Sequence, residues 1–301
     1  LSILIFFFFH KEDNKKSYNF FWLSKETSIL INNWFMMYFL SVVLIGTVYP
    51  IFLDVISSQK ISVGPPFYHK LIIPFLIPFL IMMAIGPKLK WIKSQIIDKL
   101  YLISFLIISI LLSFLILKNF SQNILINTIL ISSALYLFFI TLRDFFIKKY
   151  NNISQNIAHF GFSLLILSIL FNNLFSSEII TNLKVGETFE NSKTKIVFES
   201  INQKKEKNYN AIIANFSVQN YLGEKDKLSP ELRIYNQPVI ATSEADIKTT
   251  LMSDKFIVIN LVQNQDYFNV RYQVKSFMVW IWLSVILISF GGIISFLKKR
   301  S

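Results

Sequence analysis

The sequence predicts a polytopic α-helical membrane protein with six complete spans, a truncated span at its N-terminal end, and an external all-β domain between the last two spans. Three observations predict this fold class. The 301 residues are 53% hydrophobic and only 16% charged, whereas soluble chains are about 45–50% apolar and about 25% charged. Six apolar runs have the length of a bilayer crossing. A long polar segment with strand-like patterning separates the last two runs.

The first apolar run, Leu1–Phe9, is too short to cross a membrane. Crossing about 30 Å of hydrocarbon takes about 20 residues. No basic segment precedes the run, as a secretory signal peptide would require. We therefore expect residues 1–9 to be the remainder of a truncated transmembrane helix, and the missing N-terminal half of the same protein to be a partner of this chain.

The six longer runs predict complete transmembrane helices, because only helices and closed barrels satisfy every backbone hydrogen bond in hydrocarbon. Five of them form a predicted transmembrane region over residues 29–175, and the sixth closes the chain as a C-terminal helix. The runs are 29–53, 67–86, 100–117, 124–142, 157–175 and 277–297.

Basic residues alternate between the predicted loops. Loops 10–28, 87–99 and 143–156 and the C-terminal tail each carry three or more Lys or Arg, whereas 54–66 and 118–123 carry one Lys each. Because cytoplasmic loops are enriched in Lys and Arg, the basic loops and the C-terminus are predicted to be cytoplasmic. The net charge of +12 is then a topology signal, and no nucleic-acid partner is expected. The absence of Cys excludes a disulfide, a thiolate metal site and a Cys nucleophile within this chain.

Residues 178–276 are predicted to form a periplasmic β domain, outside the membrane. Four stretches in it alternate or run apolar at strand length, and polar breaks such as Gly223–Asp226 separate them. The pattern favours a small antiparallel barrel or sandwich. Within it, Pro230–Tyr235 is either a structural corner or an edge for partner docking. The four stretches are 195–201, 211–218, 255–262 and 267–274.

Several short motifs occur in an order that resembles the CcmF and NrfE type of cytochrome c haem lyase family. They are Ser24-Lys25-Glu26-Thr27, Asn32-Asn33, Gly46-Thr47-Val48-Tyr49-Pro50, Gly86-Pro87 with Trp91, Ala158-His159-Phe160-Gly161, Val185-Gly186-Glu187, Pro230-Glu231-Leu232-Arg233-Ile234-Tyr235 and Gly291-Gly292. The family's Trp-rich segment that presents haem has no counterpart, because the five Trp residues are scattered. The resemblance therefore implies the C-terminal portion of such a protein only.

The chain has three histidines, His10, His69 and His159. His159 lies within a turn of the start of a span, where an ionisable side chain is usually functional, and imidazole is a usual axial ligand of haem iron. The alternative from the residues alone is an interfacial histidine bonded to a loop carbonyl. The resemblance implies that His159 is one axial ligand of a b-type haem (haem b), with the second ligand outside this chain. No role is assigned to His10 or His69, and no catalytic residue is identified.

The function implied by the resemblance is cytochrome c maturation (system I). As part of a haem lyase, the chain would hold the b-type haem and assist covalent attachment of haem to the Cys-x-x-Cys-His motif of apocytochrome c on the outer face. The implied partners are a haem chaperone, apocytochrome c, its thiol-handling partner and membrane lipid. The expected location is a bacterial inner membrane rather than a mitochondrial one.

Two other functions are open on the sequence. One is a membrane transporter, which typically has two related halves with interrupted helices. Pro74 and Pro78 are expected to kink one span here, but the sequence shows no second copy of such a half. The other is a non-catalytic membrane scaffold with an external partner-binding domain.

Overall fold

The computed structural model describes residues 21–57, 62–91, 99–118, 120, 124–147, 153–221, 223–262 and 266–298. They contain six helices long and apolar enough to cross a membrane, and each of the six complete predicted spans corresponds to one of them, although 67–86 and 277–297 each extend one residue beyond the α-helix. The predicted truncated span at 1–9, and His10, lie outside the described residues. The helices are α1 Lys25–Ser57, α2 Pro65–Ile85, α3 Lys99–Leu117, α4 Ile124–Ile147, α5 Ile153–Phe175 and α6 Met278–Lys298.

Several helices extend beyond the apolar runs that predict them. α1 begins at Lys25, and α4 continues through Arg143 and Asp144 to Ile147. An apolar run marks the part of a helix that lies in hydrocarbon, whereas backbone hydrogen bonding continues into the polar region beyond it. Large apolar side chains such as Leu44 of α1 and Leu111 of α3 are exposed, which is consistent with helices whose solvent is lipid.

The chain divides into two compact units, residues 1–140 and 141–301. The second unit contains α5, α6 and ten described strands. The strands are β1 Ser177–Leu183, β2 Thr188–Glu190, β3 Thr194–Lys205, β4 Tyr209–Asn220, β5 Lys225–Leu228, β6 Glu231–Tyr235, β7 Ala241–Glu244, β8 Asp246–Thr249, β9 Ser253–Leu261 and β10 Phe268–Ser276.

The strands form two antiparallel sheets that share one core. The first sheet has the order β1-β10-β9-β8, and the second has the order β2-β3-β4-β6-β7 with β5 also paired to β4. Phe198 and Phe216 from the second sheet stack with ring centroids 4.4 Å apart. Ile257, Ile259 and Val270 from the first sheet are fully buried in the same cluster. Of the two predicted alternatives, the domain is therefore the sandwich.

The four strands predicted from the sequence are confirmed as β3, β4, β9 and β10. The prediction of a polar break over Gly223–Asp226 is wrong at its end, because β5 begins at Lys225. β5 alternates correctly between exposed and buried positions, but one of its buried positions is Asp226. Because one inward position of β5 holds a carboxylate, an alternation of apolar residues does not predict this strand.

A hydrogen-bonded junction joins the β domain to α5 and α6. Asn172 Nδ2 donates to the Ser276 carbonyl at 2.5 Å, and the Ser276 amide donates to Ser176 Oγ at 3.1 Å. Phe277, between β10 and α6, has a φ of 61°. Its ring centroid lies 5.4 Å from that of Phe171 on α5. The end of α5 and the start of α6 are thus tied together where the sandwich begins.

Candidate functional site

The predicted haem ligand, His159, lies in the second turn of α5 and is half-buried. The other described histidine, His69, is exposed in the first turns of α2, in the other compact unit. The structure therefore gives His159 a more enclosed position than His69.

Two glycines hold α5 and α6 in close contact around this histidine. A Cβ at Gly291 of α6 would lie 2.8 Å from the amide nitrogen of Ala158 and 2.9 Å from the carbonyl oxygen of Ser154. A Cβ at Gly161 of α5 would lie 3.0 Å from the amide nitrogen of Ile288. Small residues let helix backbones approach closely inside membranes. The two contacts flank the histidine in sequence and fix the backbone that carries it.

Two hydrogen bonds connect α5 to the end of α4. The hydroxyls of Thr141 and Ser163 are 3.0 Å apart, and Asn156 Nδ2 donates to the Asp144 carbonyl at 3.0 Å. Positions 156, 159 and 163 share one side of a helix, because side chains three and four residues apart are neighbours. His159 therefore lies on the polar side of α5, between the two hydrogen-bonded positions.

The end of α4 that bonds to Asn156 carries a buried carboxyl group. Arg143 Nη1 lies 4.0 Å from Asp144 Oδ1, and Asp144 is buried. Asn156 is also buried, and its Oδ1 accepts no hydrogen bond from the residues that the structure describes. From the sequence, Arg143 is expected only as a charge of a cytoplasmic loop. The sequence feature that indicates these residues is the charged pair Arg143-Asp144 inside an otherwise apolar helix.

His159 belongs to a residue type that could hold the iron of a cofactor such as haem. Among the described residues, no group of three or more His, Cys, Asp or Glu could hold a metal ion. A porphyrin supplies four nitrogens to its iron and needs only axial ligands from protein. The half-buried imidazole of His159 is of the type that could supply one such axial ligand.

The segment Pro230–Tyr235 has a structural position in the sandwich. Strand β6 pairs with β4 on one side and with β7 on the other, so it is not a free edge. Arg233 Nε donates to Glu231 Oε2 at 2.8 Å, and its guanidinium lies 5.1 Å from the ring centroid of Tyr209. Of the two predicted roles, the structural one agrees with the geometry.

An ion-pair cluster links the two sheets of the sandwich. Buried Asp226 on β5 accepts hydrogen bonds from Lys248 Nζ of β8 at 2.5 Å and from Lys255 Nζ of β9 at 2.7 Å. Burial acts to raise the pKa of Asp226, but the two lysine hydrogen bonds outweigh it and lower the pKa below its usual value. The carboxylate is therefore charged and paired at neutral pH.

Comparison with known proteins gives matches along nearly the whole chain. Residues 174–276 match the family described as the CcmF C-terminal β-sandwich. The cytochrome c-type biogenesis protein CcmF of Pseudomonas fluorescens is 27% identical over 295 residues, which are 92% of this chain and 44% of that protein. CcmF of Escherichia coli is 23% identical over 99% of this chain and 47% of that protein. The cytochrome c-type biogenesis protein NrfE of Haemophilus influenzae is 24% identical over 95% of this chain and 46% of that protein.

A solved structure, titled Cytochrome c Heme Lyase CcmF, has the same fold. It aligns with a TM-score of 0.68 and 19% identity, over 90% of this chain and 45% of the other. The chain therefore spans about half the length of the relatives it matches. The resemblance predicted from the sequence is confirmed: the chain is similar, along nearly all of its length, to the C-terminal portion of CcmF- and NrfE-type cytochrome c biogenesis proteins.

Proposed function

We propose that this chain acts in cytochrome c maturation as the C-terminal, membrane-embedded part of a haem lyase. Two kinds of finding support the proposal. Relatives named as cytochrome c-type biogenesis proteins align with more than nine-tenths of the chain. The chain also places a half-buried histidine on a glycine-packed helix pair. The observation that carries the proposal is this placement of His159.

In this proposal His159 is one axial ligand of a b-type haem, and the second ligand comes from the N-terminal half of the protein. When bound, such a haem supplies one-electron chemistry, which would serve to reduce the iron of the haem that is to be attached. In this proposal the chain positions the haem ligand. Gly161 and Gly291 hold α5 against α6, and Asn156 and Ser163 hold it against the end of α4, so the backbone that carries the imidazole is held in place.

The complete protein would attach haem, delivered by a haem chaperone, to the Cys-x-x-Cys-His motif of apocytochrome c by forming thioether bonds. The β domain would lie on the periplasmic side of a bacterial inner membrane, with the C-terminus in the cytoplasm. There it would contact apocytochrome c or the partner that handles its thiols. The absence of Cys in this chain supports such a division of labour, because the chain offers no thiol that would compete for disulfide exchange.

An optical spectrum tests the haem assignment. The chain is purified together with its N-terminal half, and the Soret and α bands of the reduced protein are recorded. A low-spin b-type spectrum is expected for the wild type. His159→Ala should remove or weaken it, whereas the matched control His69→Ala, at an exposed position in the other unit, should leave it unchanged. An unaltered low-spin spectrum in His159→Ala would contradict the assignment, and a wild type without haem would contradict the proposed function.

A further inference from the structure

The turn between β8 and β9 carries two adjacent exposed apolar side chains at its tip. Leu251 is 70% exposed and Met252 is 61% exposed. Single exposed apolar residues are common on protein surfaces and need no explanation. Leu251 and Met252 are consecutive, and both lie at the tip of one turn between two paired strands.

Hydrogen bonds across its base hold the turn in a fixed shape. The Thr250 amide donates to the Ser253 carbonyl at 2.9 Å, and the Thr250 hydroxyl donates to the same carbonyl at 2.8 Å. The Ser253 amide donates back to Thr250 Oγ1 at 3.1 Å. The base is therefore closed, and the two apolar residues between its ends form the tip.

The turn lies at the same end of the sheet as the start of α6. Ser253 pairs with Ser276, the last residue of β10. The amide of the next residue, Phe277, donates to the Met252 carbonyl at 2.8 Å. α6 begins at Met278 and is long and apolar enough to span a membrane. The turn is thus hydrogen-bonded to the residue that directly precedes a membrane-spanning helix.

The first turn of α6 has the composition of a membrane interface. It carries Trp280, and Trp282 follows and is exposed. Trp is enriched at the level of the lipid headgroups, where its ring is partly apolar and its N–H is polar. The Leu251–Met252 turn is hydrogen-bonded to Phe277, one residue before α6, so it lies at the same depth in the bilayer as the start of α6.

The geometry points to the Leu251–Met252 turn as a lipid-anchoring element. The turn inserts into the bilayer leaflet on the side where α5 and α6 connect to the β domain. The occupant of this apolar surface is the bilayer itself, because the hydrogen bond to Phe277 places the turn at the bilayer surface. With the two helix junctions, the turn gives the β domain another point of attachment to the membrane and limits its tilt. This inference rests on the membrane-embedded placement of α6 in the proposed function, and it does not depend on haem binding.

The absence of Cys in the chain permits a direct test with single-cysteine spin labels. Leu251→Cys is labelled with a nitroxide in the full chain, inserted into phosphatidylcholine nanodiscs. Collisions of the label with molecular oxygen, which concentrates in lipid, and with a water-soluble nickel chelate are measured by electron paramagnetic resonance. Ile286→Cys, at an exposed position within α6, gives the ratio of oxygen to nickel collisions for a label in lipid.

The matched control is Leu261→Cys, the same residue type at the far end of β9. Leu261 is 50% exposed, and its distance from Ser253 along the strand is about 26 Å at about 3.3 Å per residue. We expect the label at 251 to collide with oxygen more than with the nickel chelate, and the label at 261 to show the reverse. Met252→Cys should agree with 251. Equal access of the nickel chelate to labels at 251 and 261 would overturn the inference.

Discussion

Gly291 of α6 packs against Ala158 of α5 so closely that a Cβ at position 291 would lie 2.8 Å from the Ala158 amide nitrogen and 3.0 Å from the Ala158 Cβ. Real Cβ atoms do not approach backbone atoms at that distance, so one of the two helices would have to move. Because Ala158 directly precedes His159, the position of the candidate haem ligand depends on this contact.

We expect Gly291→Ala to destabilise the helix pair. Forcing a methyl group into a packed contact typically costs about 1–3 kcal/mol. The neighbouring Gly292 is a matched control, because a Cβ there would meet nothing within 4 Å. Gly292→Ala should leave the free energy of unfolding unchanged or raise it by up to about 1 kcal/mol, because Ala is the better helix former. Thermal unfolding of both variants in detergent provides the comparison, and equal melting temperatures would show that the contact is not restrictive.

The Asp226 cluster should make the stability of the β domain depend on pH. A carboxylate whose folded-state pKa is lowered contributes stability above its unfolded pKa of about 3.9, and this contribution is lost as pH falls through the folded pKa. At pH 7, Asp226→Asn should therefore be less stable than the wild type, by about 1–3 kcal/mol.

The difference between the two proteins should shrink as pH falls below about 4, because the unfolded wild type then takes up a proton at Asp226 that the paired carboxylate of the folded state resists. Melting temperatures of the wild type and Asp226→Asn, measured from pH 7 to pH 3, test this point. Subtracting one curve from the other removes the contribution of all other carboxyl groups. A difference that stays constant over this range would contradict the assignment of a charged, paired Asp226.

Phe277 should show opposing effects of its ring and its backbone. Its φ of 61° lies in the left-handed region, which costs a residue with a Cβ about 1–2 kcal/mol. Its ring packs against Phe171 and Phe175, with centroids 5.4 Å and 6.3 Å away. Phe277→Ala loses the ring and keeps the strained φ, whereas Phe277→Gly loses the ring and relieves the strain.

Phe277→Gly should therefore be more stable than Phe277→Ala by about 1 kcal/mol, although both should be less stable than the wild type. Chemical denaturation of the three proteins in detergent measures the order. If the Ala variant equals or exceeds the Gly variant in stability, the junction does not hold Phe277 in the left-handed region.

The sequence was most informative where one physical rule applied along a whole element. The bilayer requires about 20 apolar residues in every span, and each of the six complete runs corresponds to one helix. The long strands β3, β4, β9 and β10 were predicted from their alternating or apolar pattern, because their inward positions hold residues such as Phe198 and Ile257.

Other features depend on contacts between residues distant in sequence, and no local pattern predicts them. The short strand β5 has Asp226 at a buried position, which is stable only because Lys248 and Lys255 come from other strands. Phe277 adopts a positive φ that its residue type disfavours, because the junction of two helices and a sheet holds it there. At the candidate site, the sequence singled out His159, but the burial of Asp144 and Asn156 beside it requires α4 and α5 to be packed together.

The proposed ligation of a haem iron by His159 can be tested by replacing the side chain with free imidazole. His159→Gly is purified with the N-terminal half of the protein, and its optical spectrum is recorded with and without added imidazole. We expect the variant to lose the low-spin b-type spectrum and imidazole to restore it, while His69→Gly has the wild-type spectrum throughout. A low-spin spectrum in His159→Gly without imidazole, or a lost spectrum that imidazole does not restore, would contradict the claim.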